Sequence, residues 1–224
     1  MQDCAIRIDT DEALRYLGVR GEAEPRLSEK MNELADKLLK SLQPKFVYRI
    51  FDLSTCDVGI VLVNSGLCLP GKLAARMLEG YQSAAVLLCT LGSGFESMLR
   101  ALQARDMSEA VMLDALGSAY VEAGCDAAEE EIRGRLTGLY LTDRFSPGYG
   151  DLPLELQKDI CGLLDAGRRL GVTITESLLM NPSKSVTAVI GISDRPQPAR
   201  IRGCEYCSRK TNCEFRKGGQ SCVS

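Results

Sequence analysis

Residues 144–153 read RFSPGYGDLP, a stretch whose prolines and glycines predict a loop. Arg144 carries a planar guanidinium that can hold a carboxylate through two hydrogen bonds, and the Tyr149 ring has a face that attracts cations. Gly148 lets backbone groups come close to a ligand. These properties suit an amino acid that bears a sulfonium. An arginine that caps a helix beside an ordinary turn would give the same residues, so the loop alone leaves both interpretations open.

The segment after this loop predicts one helix and two strands. The helix is expected over about 154–167. Residues 171–193, GVTITESLLMNPSKSVTAVIGIS, then predict a strand, a turn at Asn181-Pro182 and a second strand that ends near Ser193.

The chain before the loop alternates between the two kinds of element. Apolar spacing and end signals predict helices over 10–18, 27–42, 70–79, 95–106 and 106–136. Runs of apolar, β-branched and aromatic residues predict strands over 45–53, 58–69 and 83–92. Because strands and helices recur without a strict βαβ order, we predict an α+β fold: one domain over residues 1–193, with a central mixed or antiparallel sheet flanked by helices.

The long predicted helix contains an unusual middle, DALGSAYVEAGCDAAEEE, over residues 114–131. Gly117 and Gly124 each cost about 1 kcal/mol relative to alanine inside a helix, so something must approach the helix closely there. Tight packing against another element and a ligand pressed on the helix are both open. One stripe of the helix contains Asp114, Ser118, Glu122 and Cys125. This stripe could be either a solvated face or part of a site.

Composition excludes several classes of function. The 224-residue chain has no histidine, which excludes Ser-His-Asp and Cys-His catalysis and histidine-bound zinc or cobalamin. Its 27 basic and 30 acidic residues argue against a nucleic-acid partner. The glycine-containing LGSGFES lacks the fingerprints of nicotinamide and ATP sites. With no signal-peptide pattern and no apolar run long enough for a bilayer, we expect a cytoplasmic protein without a membrane partner.

The second half of the chain resembles a known family, the S-adenosylmethionine-binding activation domain of cobalamin-dependent methionine synthase. The resemblance lies in the order of three segments: RFSPGYGDLP, a predicted helix and GVTITESLLMNPSKSV. The residues that match are Arg144, Pro147, Gly148, Tyr149, Pro153, Thr175, Glu176, Ser177, Met180, Pro182, Ser185 and Val186. ALRYLGVRG near the start and DALGSAYVEAGCD in the long helix also look like small relatives of that domain, so the resemblance covers roughly residues 8–193.

This resemblance implies a site for S-adenosylmethionine. Its members would be Arg144, Ser146, Pro147, Gly148, Tyr149 and Glu122. Arg144 would bind the methionyl carboxylate, residues 146–148 would contact the adenosyl part through their backbone, and Tyr149 would lie near the corrin. Glu122 would line the same pocket. The implied function is reductive methylation of oxidised cob(II)alamin in methionine synthase, with the chain acting on a separate corrinoid protein.

The C-terminal segment carries a cluster of thiols. After a predicted linker over 194–203, the tail 204–224 contains Cys204, Cys207, Cys213 and Cys222. Four thiolates complete one tetrahedral site, and one close pair with two wider spacings favours a [4Fe-4S] cluster over zinc. The segment 195–224 has seven basic and two acidic residues. This positive charge would favour the reduced state of a cluster and would allow an acidic ferredoxin or flavodoxin to dock.

Two alternatives remain open: activation of a different corrinoid methyltransferase protein, and a non-catalytic adaptor for a corrinoid protein, stabilised by zinc.

The other six cysteines stand singly among apolar neighbours, and each is expected to be a small buried hydrophobe: Cys4, Cys56, Cys68, Cys89, Cys125 and Cys161.

Overall fold

The computed structural model describes residues 6–196. Within this range the helices are α1 Thr10–Tyr16, α2 Pro25–Ser41, α3 Gly71–Leu78, α4 Gly92–Gln103, α5 Met107–Arg135, α6 Leu156–Leu163 and α7 Ala166–Leu170. The strands are β1 Lys45–Cys56, β2 Gly59–Leu62, β3 Leu67–Pro70, β4 Ser83–Thr90, β5 Tyr140–Leu141, β6 Thr173–Ile174, β7 Met180–Asn181 and β8 Ser185–Ser193.

Six of these strands form one sheet in the order β3-β2-β1-β4-β8-β5, and β6 pairs with β7 in a small separate sheet. β2 pairs antiparallel with both β1 and β3, and β5 pairs antiparallel with β8. Helices and strands are mixed along the chain, and because these three pairs are antiparallel, none of them is the strand pair of a parallel βαβ unit. The predicted α+β fold is confirmed.

The core explains why β4 reads as an uninterrupted apolar run. From Ala84 to Thr90 every residue of this strand is buried, and β8 is buried from Thr187 to Ile192. A strand covered on both faces shows no alternation of polar and apolar residues. The prediction of a buried strand over 83–92 is therefore confirmed.

Contacts divide the described chain into two compact units. The first comprises the residues up to Val47, Leu88–Glu130 and Asp165–Val186. The second comprises Tyr48–Leu87, Glu131–Leu164 and the residues from Thr187 onward. The predicted domain 1–193 with a linker over 194–203 and a tail over 204–224 stays a prediction, because residues 197–224 lie outside the described part of the chain.

Two predicted elements are each divided in the structure. The single strand expected over 58–69 is a hairpin of β2 and β3, because Asn64 (φ 61°) and Gly66 (φ 74°) adopt left-handed backbone conformations between them. The helix expected over 154–167 is divided into α6 and α7 at Asp165, whose φ of 55° is also left-handed and ends regular helical bonding.

Two of the glycines of α5 mark places where another part of the protein packs closely on the helix. A Cβ at Gly117 would lie 2.2 Å from Cζ of Phe95, and one at Gly124 would lie 2.5 Å from Cβ of Pro44 and 2.7 Å from Sγ of Cys89. Contacts this short are not sustained by real side chains. Tight packing, one of the two interpretations left open by the sequence, therefore accounts for both glycines.

Candidate functional site

The loop 144–153 is anchored at its base in the second unit. Phe145 forms an isolated bridge with Val189: each backbone N–H donates to the other residue's carbonyl, at 3.0 and 2.8 Å. Just before it, the N–H of Thr142 donates to the Gly191 carbonyl at 2.9 Å, and the N–H of Gly191 donates to the Thr142 hydroxyl at 2.8 Å. Arg144 lies between these two anchored residues, so its Cα position is well fixed.

The tip of the loop closes on itself. The N–H of Tyr149 donates to the Ser146 carbonyl at 3.1 Å, and Gly148 and Leu152 are joined through the Gly148 N–H and the Leu152 carbonyl at 2.9 Å. Gly148 (φ 88°) and Gly150 (φ 55°) are both left-handed, which favours glycine at these positions. Tyr149 is 53% exposed at this tip. The loop therefore holds its shape while it presents an aromatic ring to solvent.

Asp151 fastens this loop to the start of α3. Its two carboxylate oxygens accept the backbone N–H groups of Lys72 at 2.7 Å and Leu73 at 2.9 Å, which the helix itself leaves without partners. The N–H bonds from Leu73 and Lys72 hold the pKa of Asp151 below its usual value. A Cβ on Gly71 would lie 2.8 Å from the Asp151 Cγ, so the close approach requires glycine.

The site residues predicted on this loop lie together, as adjacent sequence positions require. Arg144 and Ser146 are half-buried, Pro147 is buried, and Gly148 and Tyr149 are exposed. The sequence did not reveal the contact of Asp151 with α3. Its partners are 78 and 79 positions away, and the only local signal is Gly71 at the start of a helix that has no side-chain cap of its own.

Glu122, the remaining predicted site residue, is half-buried on α5 in the first unit. It lies close enough to Tyr16 to affect its titration. Burial raises the pKa of the Tyr16 phenol, and so do its 2.8 Å hydrogen bond to Glu12 and the nearby charges of Glu12 and Glu122. Because Glu122 and Arg144 belong to different units, a common pocket for them stays a prediction.

The stripe on α5 receives a basic side chain that the sequence did not single out. The Lys184 ammonium lies 2.9 Å from a carboxylate oxygen of Asp114 and donates to the Ser118 hydroxyl at 2.8 Å. The Lys184 side chain is only 13% exposed. Cys125, by contrast, is fully buried. The four residues therefore do not form one solvated face: part of the stripe is paired, and part is core.

The turn that carries Lys184 is held against the junction of β4 and α4. The backbone N–H and the hydroxyl of Ser183 both donate to Glu96, each at 2.7 Å. The Ser185 hydroxyl donates to the Thr90 hydroxyl at 2.7 Å, and the backbone N–H of Gly92 donates to the same oxygen at 3.0 Å. The segment between β7 and β8 is therefore ordered by side chains from distant parts of the sequence.

A family model for the activation domain of vitamin B12-dependent methionine synthase matches residues 64–199, more than half of the chain. The chain belongs to this family. The matched range contains the anchored loop, its Asp151 contact with α3 and the turn around Lys184. The resemblance that the sequence showed to this activation domain is confirmed.

The fold of this activation domain also matches a solved structure, a crystal structure of the MetH reactivation domain bound to AdoHcy. The match has a TM-score of 0.66 and 20% sequence identity, and it covers 96% of this chain and 82% of that one. At this identity the match shows a shared fold. Among curated proteins, no sequence match was found.

The predicted metal ligands of this activation domain, Cys204, Cys207, Cys213 and Cys222, lie outside the described residues. Within residues 6–196, no group of three or more Cys, Asp or Glu side chains is arranged to hold a metal ion. In the same part of the chain, no helix combines the length and apolar character needed to cross a membrane.

Proposed function

We propose that this activation domain binds S-adenosylmethionine with the loop 144–153 and presents it to the corrin of a cobalamin-dependent methionine synthase. The observation that carries the proposal is the loop itself, anchored at Phe145, closed between Gly148 and Leu152, and fastened to α3 by Asp151. Family membership supports the proposal. The structural relative supports it too, because AdoHcy is what S-adenosylmethionine becomes when it loses its methyl group.

The loop offers a group for each part of this ligand. The Arg144 guanidinium suits the methionyl carboxylate, since its planar fork can donate two parallel hydrogen bonds. Gly148 has no side chain to keep the adenosyl group from the backbone. The exposed ring of Tyr149 can attract the positive sulfonium or cover the face of the corrin. Because the hydrogen bonds between Tyr149 and Ser146 and between Gly148 and Leu152 hold the loop in shape, little conformational entropy should be lost on binding.

The reaction that this arrangement would serve is reductive methylation. The substrate is cob(II)alamin, which takes one electron from a donor and then the methyl group of S-adenosylmethionine. The sulfonium keeps the electron pair of its broken carbon–sulfur bond and leaves as AdoHcy. Methyl transfer removes the reduced corrinoid and so makes a difficult reduction effectively irreversible. The chain's own contribution is to hold the sulfonium methyl group in line with the cobalt and to prevent the ligand from adopting unreactive orientations.

We propose that the tail cysteines, Cys204, Cys207, Cys213 and Cys222, bind a [4Fe-4S] cluster, with zinc as the alternative. The support is their number and spacing, together with the basic residues around them. When bound, the cluster would supply one-electron transfer from a ferredoxin or flavodoxin. Iron, sulfide and zinc analysis of protein purified without oxygen tests this: about four irons and four sulfides per chain are expected for one such cluster, whereas zinc alone would overturn it.

Binding is tested by titrating S-adenosylmethionine and AdoHcy into the protein in a calorimeter. Arg144→Ala should weaken both ligands by roughly 10- to 100-fold, since a hydrogen bond to a charged group contributes about 1.5–3 kcal/mol. Arg144→Lys should restore only part of the affinity, because an ammonium cannot make the paired bonds. The matched control is Arg169→Ala, an exposed arginine on α7. Equal affinity of the Arg144→Ala variant and the wild type would refute the assignment.

A further inference from the structure

Two cysteines expected to be separate buried hydrophobes lie side by side. The Sγ atoms of Cys56, at the end of β1, and Cys68, on β3, are 3.7 Å apart. Cys56 is exposed and Cys68 is half-buried, whereas Cys89, Cys125 and Cys161 are buried as predicted. The expectation was therefore wrong for Cys56, which lies beside a hairpin turn at the end of its strand and is open to solvent, and for Cys68, which is only half-buried; Cys4 lies outside the described residues.

The two thiols have different surroundings. The backbone N–H of Val58, the thiol of Cys68 and the backbone N–H of Gly59 lower the pKa of Cys56, because each donates a hydrogen bond to its thiolate. The pKa of Cys68 is raised by burial, by its hydrogen bond to Cys56 and by the Cys56 charge. Cys56 is thus the accessible nucleophile. When its charge is removed by a covalent bond, Cys68 loses one of the causes that keep it protonated.

We propose that Cys56 and Cys68 form a redox-active dithiol that converts to an intramolecular disulfide by exchange with a low-molecular-weight disulfide. The Cys56 thiolate attacks one sulfur of that oxidant and expels a thiolate, leaving a mixed disulfide. The Cys68 thiol gives up its proton, and its sulfur attacks the Cys56 sulfur and expels the second thiolate. Two electrons pass to the oxidant, which becomes two thiols, and one sulfur–sulfur bond forms in the protein.

The position of the pair suits both steps. Cys56 lines an open cleft of about 480 Å³, which leaves room for a small disulfide to reach it. From a separation of 3.7 Å, the sulfur atoms must approach by about 1.6 Å to form a bond. Cys56 is the last residue of β1, opposite Gly59 across the turn to β2, where the backbone can adjust more easily than inside a sheet.

Oxidation would also act on the ligand loop, an effect that rests on the proposed function. The Val58 carbonyl, two residues after Cys56, accepts the backbone N–H of Gly71 at 3.3 Å. Gly71 begins α3, whose next N–H groups hold Asp151, and Asp151 lines the same cleft as Cys56. A shift of the turn on disulfide formation would therefore move the helix start that fastens the loop.

The dithiol is tested by treating the full chain with oxidised glutathione, blocking free thiols and digesting with trypsin. One peptide, residues 50–72, contains both Cys56 and Cys68 and no other cysteine. It should become lighter by two hydrogen atoms and return to its original mass with dithiothreitol. The buried Cys161, whose pKa burial raises to about 11, lies in a separate peptide, residues 159–168, and should stay reduced.

Single variants test the order of the two steps. Cys68→Ser should accumulate glutathione on Cys56, and Cys56→Ser should leave Cys68 largely unmodified. Glutathione on both cysteines without an internal bond, or a bond from Cys56 to a tail cysteine, would overturn the proposal. So would an unmodified 50–72 peptide at oxidant concentrations that modify the tail.

The effect on the loop has its own readout. Oxidised protein should bind AdoHcy about 2- to 30-fold more weakly than reduced protein, the range typical of perturbations to a contact network that links two sites. The double variant Cys56→Ser/Cys68→Ser should show no response to oxidised glutathione. Equal affinity of both forms would refute the coupling and leave the dithiol intact. If neither form binds AdoHcy, the coupling and the proposed function fail together, while the peptide masses still decide the dithiol.

Discussion

Replacing Gly117 by alanine is expected to destabilise the first unit through a steric conflict with Phe95. The new Cβ would lie 2.2 Å from Cζ and 2.5 Å from Cε2 of a ring that is fully buried. Carbon atoms pack at about 3.5–4.0 Å, so the ring or the helix must shift by about 1.5 Å. Such overpacking costs about 1–3 kcal/mol, against a gain of up to about 1 kcal/mol from alanine's helix propensity.

We therefore expect Gly117→Ala to lower the free energy of unfolding by roughly 1–2 kcal/mol in urea titrations followed by circular dichroism. The matched control is Gly134→Ala on the same helix, where a Cβ meets nothing within 4 Å. This variant should be as stable as the wild type or slightly more stable. Adding Phe95→Leu to Gly117→Ala should recover part of the loss, because the shorter side chain leaves space for the new methyl group.

Full stability of Gly117→Ala, or additive effects of Gly117→Ala and Phe95→Leu, would refute close packing as the reason for the glycine. Full stability together with a loss of S-adenosylmethionine affinity would instead favour the second interpretation that the sequence left open, a ligand pressed against α5.

Three further predictions concern polar groups. Because the folded pKa of Asp151 is depressed, its stabilising effect is present above about pH 4 and is lost as pH falls through the folded pKa. Asp151→Asn should therefore reduce the fall in melting temperature between neutral and acidic pH, and it should weaken AdoHcy binding. Lys184→Met should lower the free energy of unfolding, measured in urea, by about 1 kcal/mol. The loss should be smaller in an Asp114→Asn background, since the two side chains are paired. Tyr149→Ala should change stability by less than about 0.5 kcal/mol, because the ring is 53% exposed, yet weaken AdoHcy binding in calorimetry.

Features that depend on neighbouring residues were predictable from the sequence. The uninterrupted apolar run of β4 and the helical pattern over 106–136 both predicted the right elements, because each pattern is local. The loop 144–153 was also recognisable, since its prolines, glycines and aromatic residues lie close together in the sequence. The hairpin of β2 and β3 was missed because its turn, at Asn64 to Gly66, is short and lies between two apolar runs that read as one.

Features that depend on tertiary contacts were not predictable. Asp151 contacts residues 78 and 79 positions away, and Lys184 contacts a residue 66 positions away. The pairing of Cys56 with Cys68 requires the register of three strands, which composition does not supply. In each case the side chains are ordinary by themselves, and only the fold brings them together.

The most direct test of the account is methyl transfer. Purified chain, a cobalamin-dependent methionine synthase in the cob(II)alamin state, a one-electron donor and S-adenosylmethionine labelled in its methyl group are mixed without oxygen. We expect labelled methylcobalamin and AdoHcy in equal amounts, with Arg144→Ala much slower than Arg169→Ala. No transfer to methionine synthase would contradict the proposed function. Transfer only to a different corrinoid protein would contradict the assigned partner and support the alternative activator.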